Sequence, residues 1–320
     1  MKKTTVLTIV LILLACVLPL AQGRQNEETS ESKLKQVQIE QQKGEEELES
    51  LKKAKETKDK AAKAKDWGKP KRIKYERTVQ LTSSLSPGST FAAQTHNGSI
   101  TIKGNEVTDC NLVATIITQA PTDEEAKELS DKVKVTLVPS DQRLTLKIDK
   151  PKQLINKSIS VSLDVKVPNK TSLELVTQNG AVKITDMTGR LSATTHNGKV
   201  TAKNISGTIL LRTHNGSVNC RDISGDANLH THNGGIEAVY SKNAPSVCNV
   251  SLVTHNGGVG LTAPPGFSAK VDASTHNGSI RADLPITTTG KTSKRKLTGT
   301  IGTGEGSMHL ETYNGSIQIR

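Results

Sequence analysis

Apolar and polar side chains alternate along the C-terminal part of the chain, most regularly in residues 177–239. This stretch divides without gaps into nine-residue units whose sixth and eighth places are apolar, while the places between them are mostly polar. Side chains two residues apart on a strand point to the same face. Each unit is therefore predicted to contain one short strand with an inward and an outward face. The apolar side chains are those of Val182, Ile184, Leu191, Ala193, Val200, Ala202, Ile209, Leu211, Val218, Cys220, Ala227, Leu229, Ile236 and Ala238.

A glycine occupies the fourth place of every unit, shortly before the strand. The dipeptides Asn-Gly and Ser-Gly are typical of turns because both tolerate a positive φ. The pattern therefore predicts a chain corner at each unit. The predicted structural turn glycines are Gly180, Gly189, Gly198, Gly207, Gly216, Gly225 and Gly234.

Two types of unit alternate, so the full period is 18 residues. In a parallel β-solenoid, coils of two nine-residue halves would stack at about 4.8 Å. In the alternative, an antiparallel meander, each Asn-Gly would be a hairpin turn. We favour the all-β solenoid because small aliphatic side chains fill its thin interior, whereas a meander needs a partner to cover its apolar face. The solenoid would also align Asn179, Asn197, Asn215 and Asn233 in a ladder at one corner.

The segment before the repeats is less regular and is interpreted as the first, decorated coils and the N-terminal cap of the solenoid. Strands are predicted in residues 79–102, 107–119, 133–148 and 159–167, with Pro168 ending the last. Thr122 and Glu125 form a capping box, which predicts one short helix that ends near Lys132.

The composition agrees with a thin interior, because apolar residues make up 33% of the 320 residues and aromatic residues 2%. Globular proteins have roughly 45–50% apolar residues when glycine is included. A core filled by aromatic rings is therefore not expected, nor is an enzyme pocket lined by them.

The N-terminus is typical of an exported protein. Lys2 and Lys3 precede an apolar run over residues 6–20, and small residues follow at the positions that signal peptidase reads. We predict a signal peptide over residues 1–23 with cleavage after Gly23. An uncleaved anchor and lipidation at Cys16 are the less favoured alternatives, because the run is short for a span and remains apolar after the cysteine.

Residues 24–75 are predicted to be a charged, partly helical stalk before a domain over residues 76–320. Leu34, Val37, Leu48 and Leu51 fit one heptad frame, so the stalk is either a solvated linker or a short oligomerising coiled coil. The stretch from Lys55 to Lys74 is rich in lysine and contributes to the net charge of +12, which suggests peripheral contact with an anionic membrane or polymer. Nucleic acid is not expected, because no aromatic residues are interleaved for base stacking.

Histidines recur at the same place of the repeat. In a solenoid His196, His214 and His232 would stack in a file with neighbours about 5 Å apart. Such a file suggests a Zn²⁺ or Cu²⁺ site, but zinc needs convergent ligands and parallel rings do not converge. Calcium is not expected either, because the place that holds aspartate in calcium-binding nonapeptide repeats is apolar. The file has looser copies with His96, His255 and His276, and substitutes at Gln178 and Tyr313.

We therefore assign no catalytic residue, no metal site and no cofactor. Protonated neighbours in the file would repel one another, so the domain should lose stability below a pH of about 6.5, where histidine becomes charged. The three cysteines of the mature chain, Cys110, Cys220 and Cys248, allow at most one disulfide and are expected to be mostly buried thiols.

The chain from about Tyr75 to Arg320 resembles the bacterial "putative adhesin" family. The resemblance lies in the helix after Pro121, the phrase VSLDVKVPNKT in residues 161–171, the sequence ADLP in residues 282–285 and the ending TYNGSI in residues 312–317. It implies a β-solenoid in exported or envelope proteins with no established enzymatic activity, and it identifies no receptor or binding residue.

The sequence thus favours a non-enzymatic structural or adhesive protein of the bacterial envelope, in the periplasm, on the cell surface or secreted. Its expected partner is an anionic envelope polymer or a surface protein. Outward ladders of threonine, asparagine and lysine are expected to bind such a repeating polymer weakly at many points. Two alternatives are a periplasmic envelope-stress scaffold acting through protein contacts and a carbohydrate-active β-helix enzyme. The enzyme is the weakest, because the outward strand positions hold few carboxylates for acid–base chemistry.

Overall fold

A computed structural model describes residues 49–50, 52–55, 72–152, 154–289 and 293–320. Contacts between residues divide the chain into two units, Met1–Pro70 and Lys71–Arg320. In the first unit, residues 49–50 and 52–55 are helical, and Lys53 pairs with Glu49 at 3.6 Å. The predicted signal peptide with Gly23 and Cys16, and most of the predicted stalk, lie outside the described residues. No helix within the described ranges is long and apolar enough to cross a membrane.

Strands account for most of the second unit. Its described elements are, in chain order, β1 Ile73–Ser84, β2 Thr90–Asn97, β3 Ile100–Asn105, β4 Asp109–Ala120, α1 Asp123–Asp131, β5 Lys134–Ser140, β6 Arg143–Asp149, β7 Ser158–Pro168, β8 Ser172–Asn179, β9 Val182–Asn197, β10 Val200–Asn215, β11 Val218–Ser224, β12 Ala227–Asn233, β13 Ile236–Tyr240, β14 Asn249–Asn256, β15 Val259–Thr262, β16 Ala269–Asn277, β17 Ile280–Ala282, β18 Thr287–Thr288, β19 Lys296–Ile301, β20 Gly306–Asn314 and β21 Ile317–Ile319. All the strands join in one hydrogen-bonded sheet.

Strands β9 and β10 show how a coil is built. They pair in parallel with Val200 opposite Val182 and Asn215 opposite Asn197, an offset of 18 residues. The parallel pairing continues from β10 to β11 and β12, and from there to β13 and β14. The predicted parallel β-solenoid with 18-residue coils is therefore confirmed, and the antiparallel meander is wrong for the repeats.

The apolar side chains at the sixth and eighth places form the interior of the coils, as the sequence predicts. All of those in residues 182–238 are at most 2% exposed, and the two halves of each coil contribute to one continuous cluster. Burying a side chain the size of valine or leucine stabilises the fold by about 1.5–3 kcal/mol.

Two more kinds of side chain point inward, and the sequence pattern did not reveal either. The first place of each Thr-His-Asn-Gly unit holds a threonine such as Thr195, which is 2% exposed. The second place of the alternate unit holds Met187, Ile205 or Ile223, each at most 1% exposed. The residue before it, Asp186 in the first case, has a φ of 60°. This left-handed conformation turns the chain so that the next side chain enters the core, and aspartate and asparagine tolerate it best.

The N-terminal end is capped as expected. Strands β2 and β3 form a coil that lies between β8 and β9 on one side and β6 and β7 on the other. Antiparallel β4 then pairs with β7, and β1 pairs with β4. Strand β1 begins at Ile73, so Ile73, Lys74 and Tyr75 are part of the sheet, although the predicted boundary placed them in the stalk.

The predicted short helix is confirmed as α1. Its N-cap is Thr122, whose Oγ1 accepts a hydrogen bond from the Glu125 backbone N–H at 3.2 Å. This bond satisfies one of the free amide groups of the first turn. The helix ends at Asp131, one residue before the predicted end, and buries Ala126 and Leu129.

The C-terminal coils stack out of chain order. The coil of β20 and β21 lies between that of β14 and β15 and that of β16 and β17. The last segment of the chain is thus inserted between two coils that precede it. Strand β19 pairs with β16 in antiparallel orientation and covers its outer edge.

We predict that a charge in the interior unfolds the domain. Val200 is fully buried, so Val200→Asp leaves an unpaired carboxylate among aliphatic side chains, which costs several kcal/mol. The neighbouring Thr201 points outward, and Thr201→Asp is the matched control. Circular dichroism should show a cooperative thermal transition for the control and none for Val200→Asp. Equal melting of both variants would mean that the assigned inward and outward faces are wrong.

Candidate functional site

The corner formed by each Thr-His-Asn-Gly unit is held by its threonine. The Oγ1 atom of Thr213 donates a hydrogen bond to the carbonyl oxygen of Gly198, in the neighbouring coil, at 2.9 Å. The same bond joins Thr195 to Gly180 at 2.9 Å and Thr231 to Gly216 at 2.7 Å. The buried hydroxyl is therefore satisfied, and each corner is tied to the next.

The predicted asparagine ladder is present and is longer than expected. The side-chain amide of Asn197 donates to the Oδ1 atom of Asn179 at 2.7 Å, and Asn215 donates to Asn197 in the same way. Each amide thus accepts from one neighbour and donates to the next. The ladder comprises, in spatial order, Asn97, Asn179, Asn197, Asn215, Asn233, Asn256, Asn314 and Asn277.

The predicted turn glycines lie at the corners, but for two different physical reasons. Gly189, Gly207, Gly225 and Gly234 have φ between 118° and 156°, as expected of turn glycines, and at the last three an added Cβ would also overlap a carbonyl oxygen of the adjacent coil. Gly180, Gly198 and Gly216 have no such φ. At these three positions an added Cβ would overlap the carbonyl oxygen of the corner glycine in the adjacent coil. Close approach of two backbones, rather than a positive φ, therefore requires glycine there.

The histidines form the predicted file on the outer surface. The ring centroids of His196 and His214 are 4.7 Å apart, and those of His214 and His232 are 4.8 Å apart, with interplanar angles of 5° and 0°. His255, Tyr313 and His276 extend the file at 4.4–4.8 Å. We call the outward side of the strands that carry this column the histidine face. In spatial order the column is His96, Gln178, His196, His214, His232, His255, Tyr313 and His276.

The file does not have the geometry of a metal site. Neighbouring rings are nearly parallel, so the in-plane lone pairs of their nitrogens point in the same direction and do not converge on one ion. Among the described residues, no group of three or more His, Cys, Asp and Glu side chains is placed to hold a metal.

The cysteines behave as the predicted buried thiols. Cys110, Cys220 and Cys248 are free and buried. Burial raises the pKa of Cys110 and of Cys220 to about 12, because it disfavours the thiolate. Neither thiol is therefore a nucleophile at neutral pH.

A second surface, on the opposite half of the coils, is basic. We call it the cationic face and define it by the exposed side chains of Lys103, Lys166, Lys183, Lys203 and Arg221 on β3, β7, β9, β10 and β11. Lys103 lies directly opposite Lys166, and Lys203 lies opposite Arg221. Arg221 pairs with Glu237 at 3.5 Å, whereas the four lysines form no ion pair within the part of the chain that is described.

The sequence predicted outward lysine ladders, but it did not show the whole cationic face. The 18-residue period aligns Lys203 with Arg221, whereas Lys103 meets Lys166 only because of how the N-terminal coils stack. The signal in the sequence was the lysine at the seventh place of one unit and the ninth place of a later one. Adjacent like charges on paired strands destabilise a sheet. The fold itself therefore gives no reason for these pairs.

A family model for Toastrack DUF4097 domains matches residues 90–320. The chain belongs to the Toastrack DUF4097 family. The resemblance stated from the sequence is thereby confirmed for most of the chain. No curated protein was found to match it.

Solved structures of bacterial proteins are similar to this Toastrack chain at low identity. A "putative cell adhesion protein" from Clostridium sporogenes is 14% identical, covering 76% of this chain and 99% of that one, with a TM-score of 0.35. A "putative adhesin" from Bacteroides fragilis is 10% identical over 76% and 97% of the two chains, with a TM-score of 0.33. One from Parabacteroides distasonis is 8% identical over 77% and 97%, with a TM-score of 0.30. Similarity at this level identifies no ligand for the chain.

We predict that the corner glycines tolerate no side chain. In Gly216→Ala the new methyl group meets the backbone of Gly198, and the strain should cost about 1–3 kcal/mol. Gly260→Ala is the control, because the nearest atom to its Cβ would be the Ile236 carbonyl oxygen at 3.9 Å. Urea unfolding should separate the two variants. If both are as stable as the wild type, the close backbone approach is not a constraint.

We also predict that acid destabilises the domain through its histidines. The pKa of His230 is lowered by burial, by Arg212 and by His232, so the folded state takes up its proton less readily than the unfolded state. The stability that depends on a neutral His230 is therefore complete above the ordinary value of about 6.5 and is lost as the pH falls through it.

His230→Gln should therefore reduce the loss of Tm between neutral and acid pH by about 2–4 °C, as measured by calorimetry. The control is His309→Gln on β20, whose charged neighbours are Asp272 and Glu311, at 3.7 and 3.4 Å, rather than Arg212. An acid melting profile of His230→Gln identical to that of the wild type would reject this prediction.

Proposed function

We propose that this Toastrack protein is an exported, non-enzymatic component of the bacterial envelope, and that its cationic face binds an anionic envelope polymer. Export is supported by Lys2, Lys3 and the apolar run after them, with cleavage expected after Gly23. The observation that carries the proposed binding is the pairing of Lys103 with Lys166 and of Lys203 with Arg221 on adjacent strands. These like charges cost stability in the free protein, and a bound polyanion would relieve the cost.

The solenoid suits a polymer better than a compact ligand. Outward side chains recur at a fixed strand spacing, so a chain of repeating anionic groups can contact several coils at once. Many weak contacts on one polymer combine into a strong overall attachment. The non-enzymatic assignment is supported by the histidine file, whose parallel rings converge on no reacting atom, and by the high pKa values of the buried thiols.

We predict that neutralising the cationic face weakens this binding. The variant carries Lys103→Gln, Lys166→Gln, Lys183→Gln and Lys203→Gln in the full mature chain. Binding to purified wall teichoic acid and to lipopolysaccharide, both rich in phosphate, should be at least about tenfold weaker, since each charge-assisted contact contributes about 1.5–3 kcal/mol when formed. Wild-type binding should weaken as salt is added.

The control loses the same four charges elsewhere on the domain. It carries Gln at the exposed positions of Lys127, Lys134, Lys242 and Lys270, which lie outside the cationic face. This variant should bind like the wild type. Equal weakening of both variants would mean that only net charge matters, and failure of the wild type to bind either polymer would overturn the proposal. If binding is lost only when the lysines of residues 55–71 are replaced, the stalk is the binding element.

A further inference from the structure

A groove of about 780 Å³ lies at the N-terminal end of the histidine face, on the other half of the coils from the lysines of the cationic face. Its long side is formed by the outward side chains of β2, β8, β9, β10 and β12. Its other side is formed by the end of β6 and by Lys150. Strand β6 pairs with β2 only as far as Leu146, opposite Ala93, and the groove opens beyond this point. Ligand sites typically enclose roughly 300–1,000 Å³, so the groove has the size of a binding site.

The groove is lined by positive and titratable nitrogen groups and by no carboxylate. Lys147, Lys150 and Arg212 line it together with four histidines, and no Asp or Glu side chain does so. The nearest carboxylates along β6 and β8 are already paired, Asp149 with Lys147 at 3.5 Å and Glu174 with Arg143 at 2.6 Å. Arg212 forms no ion pair within the described residues. The histidines are His96, His196, His214 and His230.

The remaining lining groups are suited to a ligand rich in hydroxyls. Gln94 and Gln178 offer amide donors and acceptors, and Thr194 offers a hydroxyl group, all on exposed outward positions. Amides and hydroxyls both donate and accept hydrogen bonds, as sugar hydroxyls do. The groove also has an apolar part, formed by Val176, which is 43% exposed, and by Leu146, Ile148, Ile159 and Val161.

We propose that this groove binds a short acidic oligosaccharide, with Arg212 and Lys150 holding its carboxylate groups and the side-chain amides of Gln94 and Gln178 holding its hydroxyls. Arginine binds a carboxylate through two parallel hydrogen bonds, which makes Arg212 the principal anchor. The groove and the cationic face share no residue, and the proposed binding in the groove does not depend on polymer binding at the cationic face. An acidic peptide carries the same charge as an acidic oligosaccharide but lacks its many hydroxyl groups, and the titration below distinguishes the two ligands.

The histidines make the affinity dependent on pH. His96 on β2, His196 on β9, His214 on β10 and His230 on β12 face the groove beside Arg212, Lys147 and Lys150. Protonation of His230 adds positive charge to the groove, while a sugar carboxylate stays ionised until much lower pH. His230 gains its proton at lower pH than an ordinary histidine, because burial, Arg212 and His232 lower its pKa. Acid should therefore strengthen binding.

The experiment is isothermal titration of the full mature chain with tetragalacturonate, at about pH 7.5 and about pH 5.5, on either side of the ordinary pKa of histidine. Maltotetraose serves as the uncharged sugar and tetraglutamate as the acidic peptide. We expect tetragalacturonate to bind, several-fold more tightly at the lower pH, and the two comparison ligands to bind far more weakly.

Arg212→Gln should weaken tetragalacturonate binding by about tenfold, the usual loss for one charge-assisted hydrogen-bonding group. Arg190→Gln is the matched control. Like Arg212 on β10, Arg190 on β9 is an exposed, outward arginine, but it does not line the groove. His230→Gln should remove part of the gain at acid pH, because His230 lines the groove beside Arg212 and is not part of the file. Circular dichroism confirms that each variant is folded.

The proposal is overturned if tetragalacturonate does not bind, or if Arg212→Gln and Arg190→Gln bind it equally well. If maltotetraose binds equally well, the charge of the ligand does not matter. If tetraglutamate binds equally well, the groove is not specific for sugars. The fourfold lysine variant of the cationic face should keep its tetragalacturonate affinity. Loss of both affinities in that variant would show that the two surfaces are not separate sites.

Discussion

The close stacking of one chain corner on the next is the constraint on which this domain depends. At the Asn-Gly corners the backbones approach so closely that a Cβ does not fit, the threonine hydroxyl binds the glycine carbonyl of the adjacent coil, and the asparagine amides bind one another. Each of these contacts requires the same residue at the same place in the adjacent coil. The sequence repeat is thus the direct consequence of a geometric repeat.

The same constraint shapes the surface. When coils stack in register, identical residues become continuous columns, both inside and outside the solenoid. Inside, columns of valine, leucine and alanine pack without cost. Outside, columns of lysine or histidine place like side chains about one strand spacing apart. When these side chains are charged they repel one another, unless a counter-ion is bound. The surface columns are therefore the natural place for ligands and for sensitivity to pH, and both proposed binding surfaces are of this kind.

At its two ends the solenoid would expose open sheet edges, which can pair with other chains, so both ends are covered. At the N-terminal end, antiparallel β4 and β1 follow β7, and at the C-terminal end β19 covers β16. At both ends a coil is also inserted out of chain order. The N-terminal insertion has a second effect, because it places β6 beside β2 and so forms one side of the groove.

The local pattern of the sequence determined the 18-residue coil, the inward aliphatic places, the asparagine ladder, the histidine file and the capped helix, because each follows from strand periodicity or from contacts between successive units. The pattern did not predict that Thr195 and Ile205 point inward, since their burial depends on how the corner turns the chain. The pattern also did not predict the order of the terminal coils. Strand β20 pairs with strands distant in sequence, and a short Asn-Gly motif does not indicate which other Asn-Gly corner stacks next to it. The 18-residue period already aligns Lys203 with Arg221. Only the tertiary structure decided the pairing of Lys103 with Lys166 and the existence of the groove, because both join strands that become neighbours through the out-of-order stacking of the N-terminal coils.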